Sequence, residues 1–567
     1  MSCFINPNRF KYLDIPVIKK SLFYFQTKKT TRYKPLRNFC THDKRDEKDS
    51  FIPFLQRINL KRSEAKRSIV VQVQSPQSFK ELWSFCNSIG HVKCMLHYSI
   101  GIEPMHFIIV EFDKETDIEN IMKSGIYANR SVGMPTKSHF LWFKAPNKKS
   151  SILKEIKKTI HLSTEFGTRI KDEEEIRMTL IKSLNISDQI KTLYDITKLN
   201  DIGTRLRYLT ALQIEDSLRG MFPHAIAYPF GSSVNGYGKM GCDLDLFLRL
   251  ADDKIDENGR LVFHCKPLNG SDRSTTQRCM ETIGDIIHNF LPGCGQVRRI
   301  LQARVPIIKY HQQLTDVECD ISMSNMSGVH MSDFLYIMGE LDERVRPLIF
   351  AIRKWAKAKG ITNSSPGRWI SNFALTLLVI AFLQNPSEGR QPILPSLNKL
   401  TELAGANDRF LLEDGTDVSF LRDVRKYKQQ IENRDSLEQL VRQFYEHYAQ
   451  FDFEKKAVCL NETVDVSKPE FSPIYIINPL ERGLNVSKNV STEEVIRFQR
   501  EVRNAAWILE SQESKSDDWG LLSLLYDNSS KIVNRTKPGR LVEVRSLFDK
   551  EAEMERRGRS KVINKRR

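Results

Sequence analysis

Ala227-Tyr-Pro-Phe-Gly-Ser-Ser-Val-Asn-Gly-Tyr-Gly-Lys-Met-Gly-Cys-Asp-Leu-Asp-Leu-Phe-Leu-Arg249 is the stretch on which the reading of this chain turns. An apolar lead-in ends at Gly231-Ser232-Ser233, residues 233–242 make a connection, and Asp243 and Asp245 then sit two apart in an otherwise apolar strand. Side chains alternate along a strand, so residues two apart share a face. Two carboxylates on one face repel and Asp is a poor strand former, so the pair asks for a compensating cation. A lone pair of this kind is more often a solvated strand end. Here a third acid follows in a second apolar strand, Val317-Glu-Cys-Asp-Ile-Ser322, after the strand-like run 303–310. Val317, Cys319 and Ile321 mark a core face and leave Glu318 and Asp320 on the other, and spacing does not choose between these two acids. Mg²⁺ takes one or two carboxylates together with substrate phosphate oxygens and water, and Mn²⁺ accepts the same hard donors. Gly231 lets backbone come close to a triphosphate, and the hydroxyls of Ser232 and Ser233 can bond its oxygens.

Working outward, 567 residues are enough for about three to four domains. Forty per cent apolar and 28% charged residues are ordinary globular values, which excludes wholesale disorder. The longest strongly apolar run, Phe373 to Leu383, has 11 residues, well short of the roughly 18 that span a bilayer, so no membrane span is expected. Ten cysteines without a C-x-x-C pair argue for a reducing compartment and against a structural zinc site. The formal charge of +17 favours polyanionic partners. Residues 1–42 hold nine Lys or Arg and one acid, the composition of a mitochondrial transit peptide, and Arg556 to Arg567 hold seven basic residues and no acid, so the two ends carry 15 of the 17 charges. The body is nearly neutral, and binding of a polyanion has to rest on a local basic cleft.

Residues 43–67, with charges of both signs and no periodicity, read as a linker. Between 68 and 145 the runs Ile69–Val73, Ser78–Cys86, Val92–His97, His106–Phe112, Thr116–Met122 and His139–Phe143 alternate strand and helix in the order of a split βαβ, RNA-recognition-motif-like (RRM-like) domain. Its third strand, Met105 to Phe112, lacks the Gly and basic residue with which such domains stack bases, so packing or a homodimer through this domain weighs equally with RNA binding. A helical connector is expected over 146–200, including Ile152–Ile160 and Glu173–Leu184, with Asp201 to Thr204 a break before a helix Arg205–Leu218. A palm over 201–330, a helical region over 331–515 and a disordered basic tail over 516–567 complete the chain. His311, His330 and His447 have no ligand partners at metal spacing and read as structural.

Gly-Ser, D-x-D and a later strand Asp together resemble the DNA polymerase β-like nucleotidyltransferase superfamily. Leu341-Asp-Glu-Arg-Val-Arg-Pro-Leu348, Ile352-Arg-Lys-Trp-Ala-Lys357, Trp369-Ile-Ser-Asn-Phe-Ala-Leu-Thr-Leu-Leu378 and Pro473-Ile-Tyr-Ile-Ile-Asn-Pro-Leu-Glu481 are similar to its noncanonical poly(A) and uridylyl polymerase branch, and among these the mitochondrial poly(A) polymerases are most similar, from about Ser68 to Ser511. The resemblance implies an α+β fold: a nucleotidyltransferase palm with a mixed sheet, a mainly helical poly(A)-polymerase-associated lobe and the N-terminal βαββαβ domain. It implies that Asp243, Asp245 and Asp320 hold two Mg²⁺ ions, with Glu318 outside the triad, and that Ser232 and Ser233 meet the triphosphate of ATP. Arg353 and Lys357 fall at the family's phosphate-binding positions, Asn372 beside the phosphates, Phe373 at the ring that stacks on the base and Asn325 at an Asn that approaches the ribose. The implied activity is transfer of AMP to a single-stranded RNA 3′ end in the mitochondrial matrix. Uridylyl-adding relatives carry a His after N-P-x-E; Leu484 stands there, which removes the polar contact to uracil and favours adenine. A terminal uridylyltransferase and a catalytically inactive RNA-binding scaffold are the competing readings.

Overall fold

The computed structural model describes residues 51–526 apart from 127–135, 145–161, 164–167, 251–270, 325, 364, 366, 386–390, 413–414, 429–430, 465 and 512–518. The transit-peptide segment 1–42, the helix at 152–160, Asn325 and the basic run 556–567 therefore lie outside the described residues. A helix α1 (Phe54–Lys66) comes first, starting after Pro53. Residues 54–66 were read as linker because only Phe54, Ile58 and Ala65 turn inward, too few to give a periodic stripe. The helix is held by its polar residues as well: the Arg62 guanidinium meets the Glu215 carboxylate at 2.8 Å, and Arg57 lies over the Tyr336 ring.

The small domain follows the expected order, β1 (Ser68–Val73), α2 (Phe79–Ile89), β2 (Val92–Ile100), β3 (Met105–Phe112), α3 (Glu115–Ser124) and β4 (Phe140–Trp142). A short β5 (Leu162–Ser163), expected to lie in a helical connector, pairs in parallel with β2, so the sheet runs β4-β1-β3-β2-β5. One face carries α2 and α3 over Ile69, Val71, Ile108 and Val110. The opposite face, where RRM-type sheets stack bases, is covered: Val70, Tyr98, Phe107, Ile109 and Phe140 belong to the same buried cluster as Tyr208 and Leu209 of the body. Tyr98 also donates its hydroxyl to the Leu314 carbonyl at 2.7 Å.

Next come α4 (Glu173–Leu180), α5 (Ile186–Thr197) and α6 (Asp201–Leu218). The α6 helix includes the segment read as a break, because Asn200 caps it by accepting from the Gly203 amide, and the glycine sits in the first turn rather than before it. The palm sheet is built from β6 (Ile226–Phe230), a four-residue α7 (Ser232–Asn235), β7 (Leu244–Arg249), α8 (Asp272–Phe290), β8 (Cys294–Ile300), β9 (Ile307–Gln312) and β10 (Val317–Ser322). Its order is β6-β7-β10-β9-β8, with β7 and β10 parallel and the other pairs antiparallel. Leu244, Leu246, Leu248, Cys319 and Ile321 pack on Ile214 of α6 and Ile283 of α8, which leaves the opposite side chains of β7 and β10 for the site.

The helical lobe contains α9 (Met326–Leu341), α10 (Val345–Ala358), α11 (Asn372–Gln384), α12 (Leu397–Glu402), α13 (Arg425–Lys428), α14 (Leu437–Gln450), α15 (Thr492–Ser511) and α16 (Leu521–Tyr526). Trp355, Tyr445, Tyr448 and Phe498 form its aromatic centre. The region read as a basic tail begins too early: Leu521, Leu522, Leu524 and Leu525 of α16 are buried in the main core. Four leucines in five residues are too short a run to show a helical period. Among the described residues no helix is long and apolar enough to cross a membrane.

Small domain and palm are tied together by a buried carboxylate. Glu111 on β3 is fully buried, 2.7 Å from the Lys93 ammonium and 2.8 Å from the guanidinium of Arg205 on α6. Burial pushes its carboxyl up, but Arg205 and Lys93 pull it further down, so the net position is below the ordinary value of 4.5. A depressed carboxyl stabilises the fold above its unfolded pKa, and that contribution is lost as pH falls through the depressed value. Glu111→Ala is expected to cost about 1.5–3 kcal/mol, because Arg205 loses its buried charge-assisted bond while it keeps Asp201 and the exposed Lys93 is left to water, read as a lower urea midpoint at pH 7; the difference from wild type should shrink as the pH is taken well below 4.5.

Candidate active site

Strand register assembles the acids. Asp320 on β10 stands directly opposite Asp245 on the parallel neighbour β7, and Asp243 immediately precedes β7. Glu318 is exposed and pairs in register with His311, so the geometry separates the two acids that spacing left equivalent. Burial together with the nearby Asp320 and Asp243 carboxylates pushes the Asp245 carboxyl up to about 7. Asp320 is also raised, first by burial and then by Asp243, although the Lys309 ammonium bonds its Oδ2 at 2.7 Å and works the other way. Its Oδ1 is buried without a hydrogen-bond partner.

These donors fit a hard divalent ion: carboxylate oxygens only, one buried and unpaired, on a patch where negative charge is crowded. The set is open. Among the described residues no three acidic, histidine or cysteine side chains are grouped so as to hold a metal ion by themselves. His311 pairs with Asp316 at 3.1 Å, and His447 packs among aromatic rings. Burial, then the charge of Arg422, pushes the His330 imidazole down to about 4.

The Gly-Ser loop has a different division of labour from the one expected. Gly231 has φ +71°, and a Cβ there would lie 2.5 Å from Asp245 Oδ2, so the glycine is what allows the loop to lie against the carboxylate. Its amide donates to Ser332 Oγ at 2.7 Å. Ser232 faces the cavity, whereas Ser233, expected at the triphosphate, is buried and donates its hydroxyl to the Asp243 carbonyl at 2.7 Å. Ser233 thus fixes the approach to β7. It is helped by Arg207 of α6, a buried guanidinium that donates to Ser233 Oγ at 3.2 Å, to the Gly203 carbonyl at 3.0 Å and to the Cys242 carbonyl. Both ends of the 233–242 connection are held by this one side chain.

A cavity of about 2380 Å³ opens in front of Asp245. Ser232, Arg353, Lys357, Asn372, Phe373 and Leu484 all line it; Ser233, Asp243 and Asp320 do not. Phe373 packs its inner edge on the main core and shows the rest of its ring to the cavity, next to the exposed Asn372 at the start of α11. Arg353 is buried rather than solvated: it donates to the Tyr237 carbonyl at 2.9 Å and to Thr376 Oγ1, and burial pushes its guanidinium down to about 10. It therefore braces the loop against α11. Lys357 is exposed to the cavity, and two further lysines that sequence reasoning missed, Lys239 and Lys354, stand with it. Burial, then Lys357 and Lys354, lowers the Lys239 ammonium below its ordinary value. Three crowded ammonium groups, Lys354 among them ion-paired with Glu173 at 2.6 Å, make a site for a polyanion.

Residues 186–340 match the family model of the mitochondrial-like poly(A) RNA polymerase central palm domain. The chain is 45% identical over 507 residues to a mitochondrial poly(A) RNA polymerase of Drosophila melanogaster, spanning 86% of this chain and 82% of that protein. It is 34% identical over 499 residues to the Homo sapiens mitochondrial poly(A) RNA polymerase, spanning 85% and 83%. The crystal structure of mtPAP in complex with ATPγS superposes with a TM-score of 0.75 at 34% identity, covering 84% of this chain and 99% of that one.

A carboxyl raised in the fold is penalised once ionised, so the penalty grows as pH rises from 3.8 and is complete above about 7. Asp245→Asn removes it. In thermal melts without divalent ions the variant is expected to be more stable than wild type at pH 8, on the order of 1–3 kcal/mol after allowing for partial hydration, and equal to it near pH 4.

Proposed function

The chain belongs to the mitochondrial poly(A) RNA polymerase family, and on that premise we propose that Asp243, Asp245 and Asp320 are the carboxylates with which this enzyme adds AMP from ATP to RNA 3′ ends. The observation that carries the assignment is the nearness of two opposite charge excesses: crowded carboxylates on β7 and β10, of which Asp245 opens on the cavity, and Lys239, Lys354 and Lys357 lining the same cavity. Divalent ions, Mg²⁺ or Mn²⁺, held by the three aspartates supply Lewis acidity toward the reacting oxygens. The chain itself does the positioning. Lys239 and Lys357 hold the β- and γ-phosphates, Phe373 offers a ring to the base and Asn372 a side-chain amide beside it. The RNA 3′-oxygen attacks the α-phosphorus and gives its proton to solvent water, the bond to the bridging oxygen breaks, and pyrophosphate leaves with its charge met by the same lysines.

Leu484 favours adenylyl over uridylyl transfer, since its apolar side chain lines the cavity and offers a uracil edge no hydrogen bond. The substrates are ATP and a single-stranded RNA 3′ end, and the mitochondrial site of action is the matrix, in keeping with the acid-poor composition of residues 1–42. The small domain is read as a packing module, because its base-stacking face is covered by the body.

Extension of a labelled RNA with each nucleotide supplied separately tests the activity: ATP is expected to give long products, and UTP incorporation equal to ATP would overturn adenine selection. Asp320→Ala is expected to bind ATP and to lose extension by orders of magnitude; robust extension by that variant removes Asp320 from the set. Lys357→Ala is expected to raise KM for ATP about tenfold, on the scale of one charge-assisted contact, and an unchanged KM would detach Lys357 from the phosphates.

A further inference from the structure

The cavity is much larger than its nucleotide. A volume of about 2380 Å³ compares with roughly 300–1,000 Å³ for sites that enclose one small ligand. The far wall is α15, and this helix has two working faces. Val495, Phe498, Val502, Ala505 and Leu509 are buried in the core. Arg497, Arg500, Asn504, Trp507 and Ile508 recur at helical spacing along another side and line the cavity. Trp507 is 67% exposed there, unusual for the largest apolar side chain, and the Arg500 side chain is 66% exposed. Glu494 and Glu501 lie on the same wall, at 3.8 Å from Arg497 and 3.2 Å from Arg500. Over the whole cavity nine lysines and arginines face five carboxylates, so a chain whose body is nearly neutral concentrates its positive charge here.

We propose that this face of α15 binds the acceptor RNA strand, with Trp507 stacking on a base and Arg500 meeting a backbone phosphate. The inference rests on the adenylyl-transfer reading and names the surface that presents the second substrate. An aromatic platform flanked by cations in a groove is what a single strand of any sequence requires, because every base has a face to stack and every nucleotide a phosphate. Arg500 and Trp507 are two turns apart, about 10 Å along the helix axis, so the two contacts fall on separate points of one strand. Asn504 lies between them on the same face and can donate to a ribose or phosphate oxygen.

The test uses the full chain, fluorescein-labelled oligo(A), and ATPγS binding measured separately. Trp507→Ala is expected to weaken oligo(A) binding about 5- to 100-fold, the range of aromatic–base stacking, and to raise KM for RNA while leaving ATPγS affinity unchanged. Trp507→Phe keeps a ring and is expected to keep most of the binding. Arg500→Ala is expected to reduce the slope of log affinity against log salt by about 0.7, the loss of one phosphate contact. Wild-type oligo(A) affinity in both Trp507→Ala and Arg500→Ala would overturn the α15 assignment, as would a parallel loss of ATPγS binding that marked a general structural defect. The two readings separate in the wild type: if it extends RNA with AMP while the variants bind RNA normally, only the α15 surface is wrong. If the wild type neither binds oligo(A) nor incorporates AMP, adenylyl transfer fails and the strand site with it.

Discussion

Like charges forced together at one end of a sheet are the constraint around which this molecule is organised. Asp245 and Asp320 face each other because β7 and β10 are parallel neighbours in fixed register. A shift of one residue in either strand would turn its aspartate into the core formed by Leu244, Leu246, Cys319 and Ile321. The apolar face packed on α6 and α8 therefore supplies the free energy that keeps the carboxylates adjacent. Lys309, opposite Asp320 on β9, offsets part of the repulsion and leaves Asp245 the more strained of the two. Strain of this kind is retained at functional sites, which is the physical ground for proposing that the most destabilising charges of the palm carry its chemistry.

The loop in front of those strands shows how the scaffold keeps such a patch rigid. Arg207 reaches from α6 to both ends of the 233–242 connection, Ser233 closes the same contact from within, and Arg353 holds the Tyr237 carbonyl from the helical lobe. These buried donors fix the backbone, so Gly231 can lie against Asp245 and Ser232 and Lys239 can face the cavity. Arg207 and Ser233 lie off the cavity and act by holding in place the loop whose Ser232 and Lys239 line it, as preorganisation of a polyanion site requires.

Much of this was legible in the sequence. Alternation in Val317–Ser322 and the two-residue spacing of Asp243 and Asp245 carried their strands, and family resemblance chose Asp320 where periodicity could not. What escaped was non-local. Arg207 reads as one more basic residue of a helix, and nothing in its neighbourhood says that Cys242 lies within reach. Lys239 sits in a glycine-rich loop and Lys354 on a helix face, and only the fold brings them beside Lys357. Ser232 and Ser233 are adjacent and chemically identical, and the short turn of α7 alone decides that one faces the cavity and the other the protein. The errors at 54–66 and 521–526 have one cause: both helices bury few residues against distant partners, so neither carries a stripe long enough to show a period.

Those two misread segments explain why a small domain and a palm behave as one body. Helix α1 joins Phe54 to Tyr336 and Arg62 to Glu215, while Tyr98 and Glu111 of the small sheet reach Leu314 and Arg205. With its open face thus occupied, the small domain has no free platform for bases, and an RNA strand must find its aromatic contact elsewhere. Helix α16 closes the argument from the other side of the cavity. Its Tyr526 hydroxyl lies 3.2 Å from the Glu173 carboxylate that pairs with Lys354, and burial, Lys354, Tyr526 and Lys357 together leave that carboxyl below its ordinary value. Glu173 is thereby kept ionised, ion-paired with Lys354 and within the field of Lys357. Lys239 and Lys357 line the cavity beside this pair, a local excess of positive charge that the overall charge, most of it at the two chain ends, does not reveal.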